Sequence, residues 1–154
     1  MAERKGIEMT RVFDAPREQV WREWTEGERF ADWYGGPDFE VPLETMSWDL
    51  REGGRWSCVM KGDGREIHWD GEFIEVKEPE RFVFTVSDRP DGDVYDTCTV
   101  VLTDLGDGRT EMRFTQGDNL PEEMYRRTEE GWGGFFDRMA ERLAADESGA
   151  GNAS

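Results

Sequence analysis

Residues 121–145 read PEEMYRRTEEGWGGFFDRMAERLAA and predict the longest helix of the chain. Apolar side chains recur there at steps of three and four, which places them on one face of a helix with about 3.6 residues per turn. Asn119 and Glu122 are typical of a capped start, and Pro121 suits a first turn. This helix needs an apolar surface to lie on, and the upstream sequence supplies one. The apolar stripe consists of Met124, Thr128, Trp132, Phe135, Phe136, Met139 and Leu143.

Three glycines interrupt this helix around Trp132, at positions 131, 133 and 134. Inside a helix each glycine costs about 0.5–1 kcal/mol relative to alanine, so three of them need an explanation. Either another backbone approaches closely at this point, or the helix bends there. The sequence leaves both explanations open.

Upstream of the helix the hydrophobic period changes to two, which is typical of strands with one buried face. Two short helices are predicted near the start, one opened by Pro16 and one over residues 28–33. Turn residues, chiefly glycine, proline and aspartate, separate the strands. The predicted strands are residues 7–13, 43–50, 55–61, 66–77, 81–87, 94–104 and 109–116.

This order of elements, β-α-α-β6-α, predicts an α+β fold. Six consecutive strands joined by hairpin-type turns form an antiparallel meander. Each strand is apolar on one face, so the sheet needs a cover, and the C-terminal helix is the predicted element long enough to provide it. We therefore expect a curved antiparallel seven-stranded sheet wrapped around that helix. It forms a single domain at residues 7–145, between flexible tails at residues 1–6 and 146–154.

The chain has 154 residues and a net charge of −17. Such a charge repels phosphate, so it argues against nucleic acids and anionic membranes as partners. No stretch is apolar and long enough for a signal peptide or a membrane span, and we expect a cytoplasmic protein. The acidity is typical of a highly soluble cytosolic protein, and adaptation to high salt is the alternative. The sequence leaves open whether the protein is a monomer or a homodimer.

Cysteine and histidine are too scarce to predict a metal site. Cys58 and Cys98 lie outside any C-x-x-C motif, so we expect two reduced, buried thiols on strands that are not neighbours. His68 is the single histidine of the sequence. It is either an ordinary surface residue or a polar anchor for a ligand. The sequence predicts neither a cofactor nor a metal ion, and it identifies no catalytic residue.

Several short motifs carry a family resemblance when they are taken in order. They are RVFDAP at 11–16, VW at 20–21, WT at 24–25, WYGGP at 33–37, DLREGGRW at 49–56, GEF at 71–73, PERFVF at 79–84 and GW at 131–132. Together they resemble the START/Bet v 1-like superfamily, also called SRPBCC. More narrowly, the chain is similar to the subgroup related to the activator of Hsp90 ATPase. The resemblance covers residues 7–145 and implies the helix-grip fold.

Relatives in the wider superfamily bind lipids, sterols or aromatic polyketides between sheet and helix, and a few catalyse cyclisation or hydrolysis there. The resemblance therefore implies a binding module for a small hydrophobic or aromatic molecule. A second hypothesis is a chaperone-associated or stress-response interaction protein, similar to the activator of Hsp90. The third is an enzyme similar to polyketide cyclases, which needs an acid or base in the cavity. Asp96, His68 and Tyr95 are the candidates for that group.

Alternation along the strands points a set of large apolar side chains to the inner face of the sheet. They form either an ordinary core or the wall of a ligand cavity. Asp96 and Gln116 share the faces of these apolar residues and are the candidate polar groups of the site. For Asp96 the alternative is a solvated position near the open end of its strand. The predicted ligand-binding residues are Trp48, Trp56, Cys58, Met60, Phe84, Asp96, Cys98, Met112, Phe114, Gln116, Trp132 and Phe136.

Overall fold

The computed structural model describes residues 6–35, 39–87, 95–117 and 122–153, and the elements below lie within these ranges. The predicted helix cap at Asn119 and the first-turn residue Pro121 lie outside the described residues. So do residues 1–5 of the predicted N-terminal tail and the start of the strand predicted at 94–104. The side chain of Met124, a member of the predicted stripe, is likewise not described.

The helices are α1 (Arg17–Thr25), α2 (Gly27–Trp33) and α3 (Glu122–Ala153). Pro16 precedes α1, and its carbonyl accepts the first turn's N–H groups. The helix α3 continues past the predicted end at residue 145, because no proline follows to stop it. The buried face of α3 bears out the predicted stripe at Trp132, Phe136, Met139 and Leu143.

The strands are β1 (Ile7–Phe13), β2 (Ser47–Trp48), β3 (Arg55–Gly62), β4 (Arg65–Lys77), β5 (Arg81–Val86), β6 (Asp96–Gly106) and β7 (Arg109–Gly117). Among the described residues they form one curved antiparallel sheet in the order β1-β7-β6-β5-β4-β3-β2. Strands β2 to β7 are the expected meander, and β1 adds to β7 at the far edge. The helix-grip fold class predicted from the sequence is confirmed.

The strand predicted at residues 43–50 is wrong over most of its length. Residues Leu43–Thr45 form a 3-10 helix, and a two-residue strand follows at Ser47–Trp48. Pro42 begins the turn, and Thr45 donates both its backbone N–H and its hydroxyl to the Pro42 carbonyl, at 3.0 and 2.7 Å. These local hydrogen bonds compete with strand pairing. Leu50, which a strand at residues 43–50 would place on the same face as Trp48, is exposed.

The glycines inside α3 do not mark a close approach of another backbone. No heavy atom of the described structure lies within 4 Å of the position that a Cβ would take at Gly131 or Gly134. At Gly133 the nearest such atom is Arg11 Nη2, at 3.8 Å, on a flexible side chain. Among the described residues the close-approach explanation is therefore wrong, and the alternative of a helix bend stays a prediction.

Both cysteines are free and buried, as expected. Cys58 lies on β3 and Cys98 on β6, with β4 and β5 between them. Burial raises the pKa of the Cys58 thiol to about 12. Burial, with a smaller effect from the Asp96 carboxylate, raises the pKa of the Cys98 thiol well above its ordinary value. Both side chains are therefore neutral thiols at physiological pH.

We expect iodoacetamide at pH 8 to modify Cys58 roughly a thousandfold more slowly in the native protein than in the unfolded chain. The thiolate is the reactive form, and a pKa raised by about three units lowers its fraction by about that factor. Mass spectrometry of quenched time points measures both rates. Since the folded pKa lies above the ordinary 9.0, the stability due to this neutral thiol is complete below pH 9 and is lost as the pH rises through about 12. Native labelling as fast as in denaturant would contradict the burial.

Candidate functional site

The sheet and α3 bring the predicted ligand-binding residues together in the interior. Cross-strand pairing sets Phe84 beside Cys98 and Cys98 beside Gln116, so β5, β6 and β7 share one row. Trp48 is half-buried on β2 and donates its Nε1–H to the Thr25 carbonyl at 2.8 Å. That these residues bind a ligand stays a prediction. The fully buried members are Trp56, Cys58, Met60, Phe84, Asp96, Cys98, Met112, Phe114, Gln116, Trp132 and Phe136.

Trp24 of α1 lies in the middle of this interior and is 0 % exposed. Its ring stacks on Phe114 with centroids 5.9 Å apart, and it contacts Phe84 and Phe136 at the same distance. Its Nε1–H donates to the Met112 sulfur at 3.3 Å. The centre of the space between sheet and α3 is therefore occupied by the side chain of a third element. The aromatic residues around Trp24 pack as a core at this point.

A chain of hydrogen bonds crosses one end of the interior, and we call it the polar chain. Trp132 Nε1–H donates to Gln116 Oε1 at 2.8 Å, and Gln116 Nε2 donates to Asp96 Oδ2 at 3.0 Å. Tyr125 on α3 donates its hydroxyl to Asp96 Oδ1 at 2.9 Å. Both polar candidates from the sequence thus face the interior. The polar chain links the first half of α3 to β6 and β7.

The solvated alternative for Asp96 is wrong, since the residue is 3 % exposed. A buried carboxylate is costly unless hydrogen bonds compensate it, and here each oxygen accepts one. These bonds stabilise the docking of α3 on the sheet. They also occupy the oxygens that an acid or base catalyst would use. Tyr125 is the member of the polar chain that the sequence analysis did not predict. Its spacing of seven residues from Trp132 nevertheless places both side chains on one helix face.

His68 and Tyr95 do not face the interior. The His68 side chain is 59 % exposed, and Glu66 lies 3.7 Å away. Tyr95 donates its hydroxyl to both carboxylate oxygens of Asp70, at 3.0 and 3.1 Å. His68 and Asp70 flank Trp69 on β4, and because side chains alternate along a strand they share the outer face. The hypothesis that His68 anchors a ligand in the interior is therefore wrong, as is the hypothesis that Tyr95 supplies an acid there.

Half-buried apolar side chains gather at another part of the interior, which we call the apolar mouth. Two of its members contact the buried ring of Tyr34, at the end of α2. The Tyr34 ring lies 5.7 Å from the ring of Trp69 and 5.3 Å from the ring of Phe135. The Arg65 guanidinium lies 5.6 Å from the centroid of the Phe39 ring. The members of the apolar mouth are Phe39, Ile67, Trp69 and Phe135, and each packs against the core.

Gly131 faces the same side of α3 as Phe135, because residues four apart lie above one another on a helix. Gly131 is itself half-buried, and no heavy atom of the described structure is within 4 Å of its Cβ position. As far as the described residues go, the helix surface beside the apolar mouth therefore has room for a side chain that the sequence does not supply there.

Tyr34 and Trp69 were missed as candidates when the sequence was taken alone. The alternation that places His68 outside also places Trp69 inside, so that signal was available. Tyr34 follows α2 in an irregular segment, where no periodicity predicts its direction. Trp24 belongs to the motif at residues 24–25, but a local pattern does not show which neighbouring elements its ring meets.

Two further properties concern the described part of the chain. Within it, no group of three or more histidine, cysteine, aspartate or glutamate side chains is placed to hold a metal ion. None of its helices is both long and apolar enough to cross a membrane.

Several solved structures share this fold. The AHSA1 protein of Silicibacter pomeroyi aligns with a TM-score of 0.82 and 22% identity, over 92% of this chain and 99% of that one. A protein of Nitrosomonas europaea aligns with a TM-score of 0.81 and 24% identity, over 94% and 97% of the two chains. A protein of Chromobacterium violaceum aligns with a TM-score of 0.77 and 23% identity, over 90% and 96%. At these identities the likeness concerns the fold. None of the curated proteins compared matches the chain.

The model of one protein family matches residues 14–144, which is most of the chain. That family is described as activator of Hsp90 ATPase homolog 1-like protein. The match includes α1, α2, the strands β2 to β7 and α3 through Leu143, which together provide both the polar chain and the apolar mouth. The chain belongs to the activator of Hsp90 ATPase homologue 1-like family.

Proposed function

We propose that this protein binds a small, mainly apolar aromatic molecule at the apolar mouth, between α2, β4 and the middle of α3. The observation that carries the proposal is the cluster of half-buried rings around Tyr34, beside a helix position with no side chain. Ligand sites are typically apolar and concave, with a few polar groups nearby. The family's fold commonly binds hydrophobic ligands, which supports the same function.

The proposed site lies at one side of the predicted one. Trp24 contacts Phe84, Phe114 and Phe136, so a ligand in the centre would have to displace a buried tryptophan. Around the apolar mouth, by contrast, the aromatic side chains are only partly buried. A planar molecule there would cover apolar surface, and its binding would gain about 25 cal/mol of free energy for each Å² of that surface removed from water. Of the predicted residues, Cys58 and Met60 are the nearest by strand pairing, opposite Trp69 and Ile67.

Gly131→Leu is the test of this site. A leucine at residue 131 projects from the helix face that borders the apolar mouth, so we expect it to weaken binding of the neutral probe N-phenyl-1-naphthylamine at least tenfold. Replacing a helical glycine should leave stability unchanged or raise it by about 0.5–1 kcal/mol. Probe fluorescence gives the affinity, and thermal unfolding gives the stability.

Gly134→Leu is the matched control for this experiment. Its Cβ position is also free of described neighbours within 4 Å, and it lies about 60° around α3 from Gly131, on the side away from Phe135. The control should gain similar helix stability and keep the parent's affinity for the probe. Equal affinities of the two variants would place the ligand elsewhere.

A second candidate function is protein interaction, and the observation that favours it is the filled centre around Trp24. A protein with a packed interior still has its surface available to a partner, and the family description names an activator of Hsp90 ATPase. Failure of the parent protein to bind the probe would favour this candidate. Calorimetric titration with purified Hsp90 from the same organism would then test it directly.

A further inference from the structure

Five of the interior tryptophans donate their indole N–H to a described acceptor, whereas Trp69 does not. Trp69 Nε1 is buried, and no described residue accepts a hydrogen bond from it. The paired tryptophans lie on both helices and strands of the same core, so the difference is local to the position of Trp69. The paired donors are Trp24 to Met112 Sδ, Trp33 to the Glu23 carbonyl, Trp48 to the Thr25 carbonyl, Trp56 to the Thr85 carbonyl and Trp132 to Gln116 Oε1.

Trp69 belongs to the apolar mouth. It stands opposite Cys58 in the β3–β4 ladder, and Cys58 is 2 % exposed, so both side chains are on the inner face. The Trp69 ring meets the Tyr34 ring edge-on, with an angle of 70° between their planes. The described neighbours of the Trp69 ring thus include the Tyr34 ring and a neutral thiol, which is a weak hydrogen-bond acceptor.

A buried N–H without an acceptor is unfavourable, and buried indoles ordinarily find a partner. Phenylalanine at this position would fill apolar surroundings without that penalty. A ligand that brings an oxygen atom to the apolar mouth would satisfy the donor. In apolar surroundings such a hydrogen bond is stronger than in water, so it would contribute to selection among ligands.

We propose that Trp69 Nε1–H donates a hydrogen bond to an uncharged oxygen, of the carbonyl type, on the ligand of the apolar mouth. This inference rests on the proposed function and specifies its ligand class. The net charge of −17 disfavours the approach of carboxylates and phosphates, which is why the acceptor is assigned as uncharged. The exposed guanidinium of Arg65, beside Phe39, is a described cation that would attract an anionic ligand and so oppose the preference for an uncharged one.

The test compares two probes of nearly the same shape, 2-acetonaphthone and 2-isopropenylnaphthalene. The first has a carbonyl oxygen at the position where the second has a methylene group. The parent protein should bind the ketone about tenfold more tightly, which corresponds to about 1.4 kcal/mol. In Trp69→Phe the two probes should bind alike. Trp21→Phe, on α1 and packed against Phe82, should keep the parent's preference.

Nitrogen–proton correlation spectra of the parent protein give a second measurement, in which the variant serves only to assign the Trp69 indole signal. The indole signal missing from Trp69→Phe should shift with the ketone and move little with the hydrocarbon. If both probes bind the parent equally, the assignment of Trp69 is wrong and the proposed site stands. If neither binds, both fail. Tighter binding of 2-naphthoate than of the ketone would overturn the uncharged ligand class.

Discussion

Gly71→Ala is expected to lower the free energy of unfolding by about 3 kcal/mol or more, and the melting temperature by about 6–12 °C. A Cβ at Gly71 would stand 1.7 Å from the Thr85 carbonyl oxygen and 2.6 Å from Trp56 Nε1. The first of these is a backbone atom, so no side-chain rotation relieves the overlap. The second donates a hydrogen bond to that same oxygen at 3.0 Å. Moving β5 away from β4 would therefore also break this bond.

Gly131→Ala is the control for this substitution, because it adds the same methyl group where no neighbour lies within 4 Å. Thermal unfolding should show it unchanged or more stable by about 0.5–1 kcal/mol, the gain expected when alanine replaces a helical glycine. A melting temperature of Gly71→Ala within about 2 °C of the parent would contradict the close approach of Gly71 on β4 to the Thr85 carbonyl on β5.

Arg142→Ala is expected to cost about 3–5 kcal/mol, because it leaves a buried carboxylate without its main cation. Glu23 of α1 has a fully buried side chain, and Arg142 Nε of α3 lies 2.8 Å from its Oε1. Arg142 Nη1 also lies 2.8 Å from Asp32 Oδ2, while Arg29 lies 3.4 Å from Glu23. These ion pairs join all three helices. Denaturant unfolding of the variant measures the loss.

Arg138→Ala provides the matched comparison one turn earlier in α3. Its guanidinium lies 3.7 Å from Glu141, and the two side chains are 48 % and 72 % exposed. Exposed pairs contribute about 0–1 kcal/mol, so this variant should lose little stability. The double substitution Glu23→Leu with Arg142→Leu should recover much of the loss, because no charge remains buried. An Arg142→Ala variant no less stable than Arg138→Ala would contradict the importance of the buried pair.

Much of the fold could be predicted from the local periodicity of apolar residues. The two-residue alternation of the strands and the 3.6-residue stripe of α3 are set by backbone geometry within each element. The order β-α-α-β6-α and the buried residues Trp132 and Phe136 therefore follow from the sequence alone. The same alternation placed Asp96 and Gln116 on the inner face. It failed at residues 43–50, where Pro42 and the Thr45 hydroxyl form a turn that the hydrophobic pattern does not reveal.

Contacts between distant elements were decided by the tertiary structure. Trp24 fills the centre because α1 packs against β6 and β7, and Tyr125 reaches Asp96 by a hydrogen bond between α3 and β6. The need for glycine at residue 71 comes from the Thr85 carbonyl on the next strand, while the glycines of α3 have no such neighbour. Within regular strands and helices, the sequence by itself determined which side chains face inward, because that depends on the geometry of one element. Which inward side chains meet depends on how the elements pack, and that packing decided where the core is filled and where the apolar mouth lies.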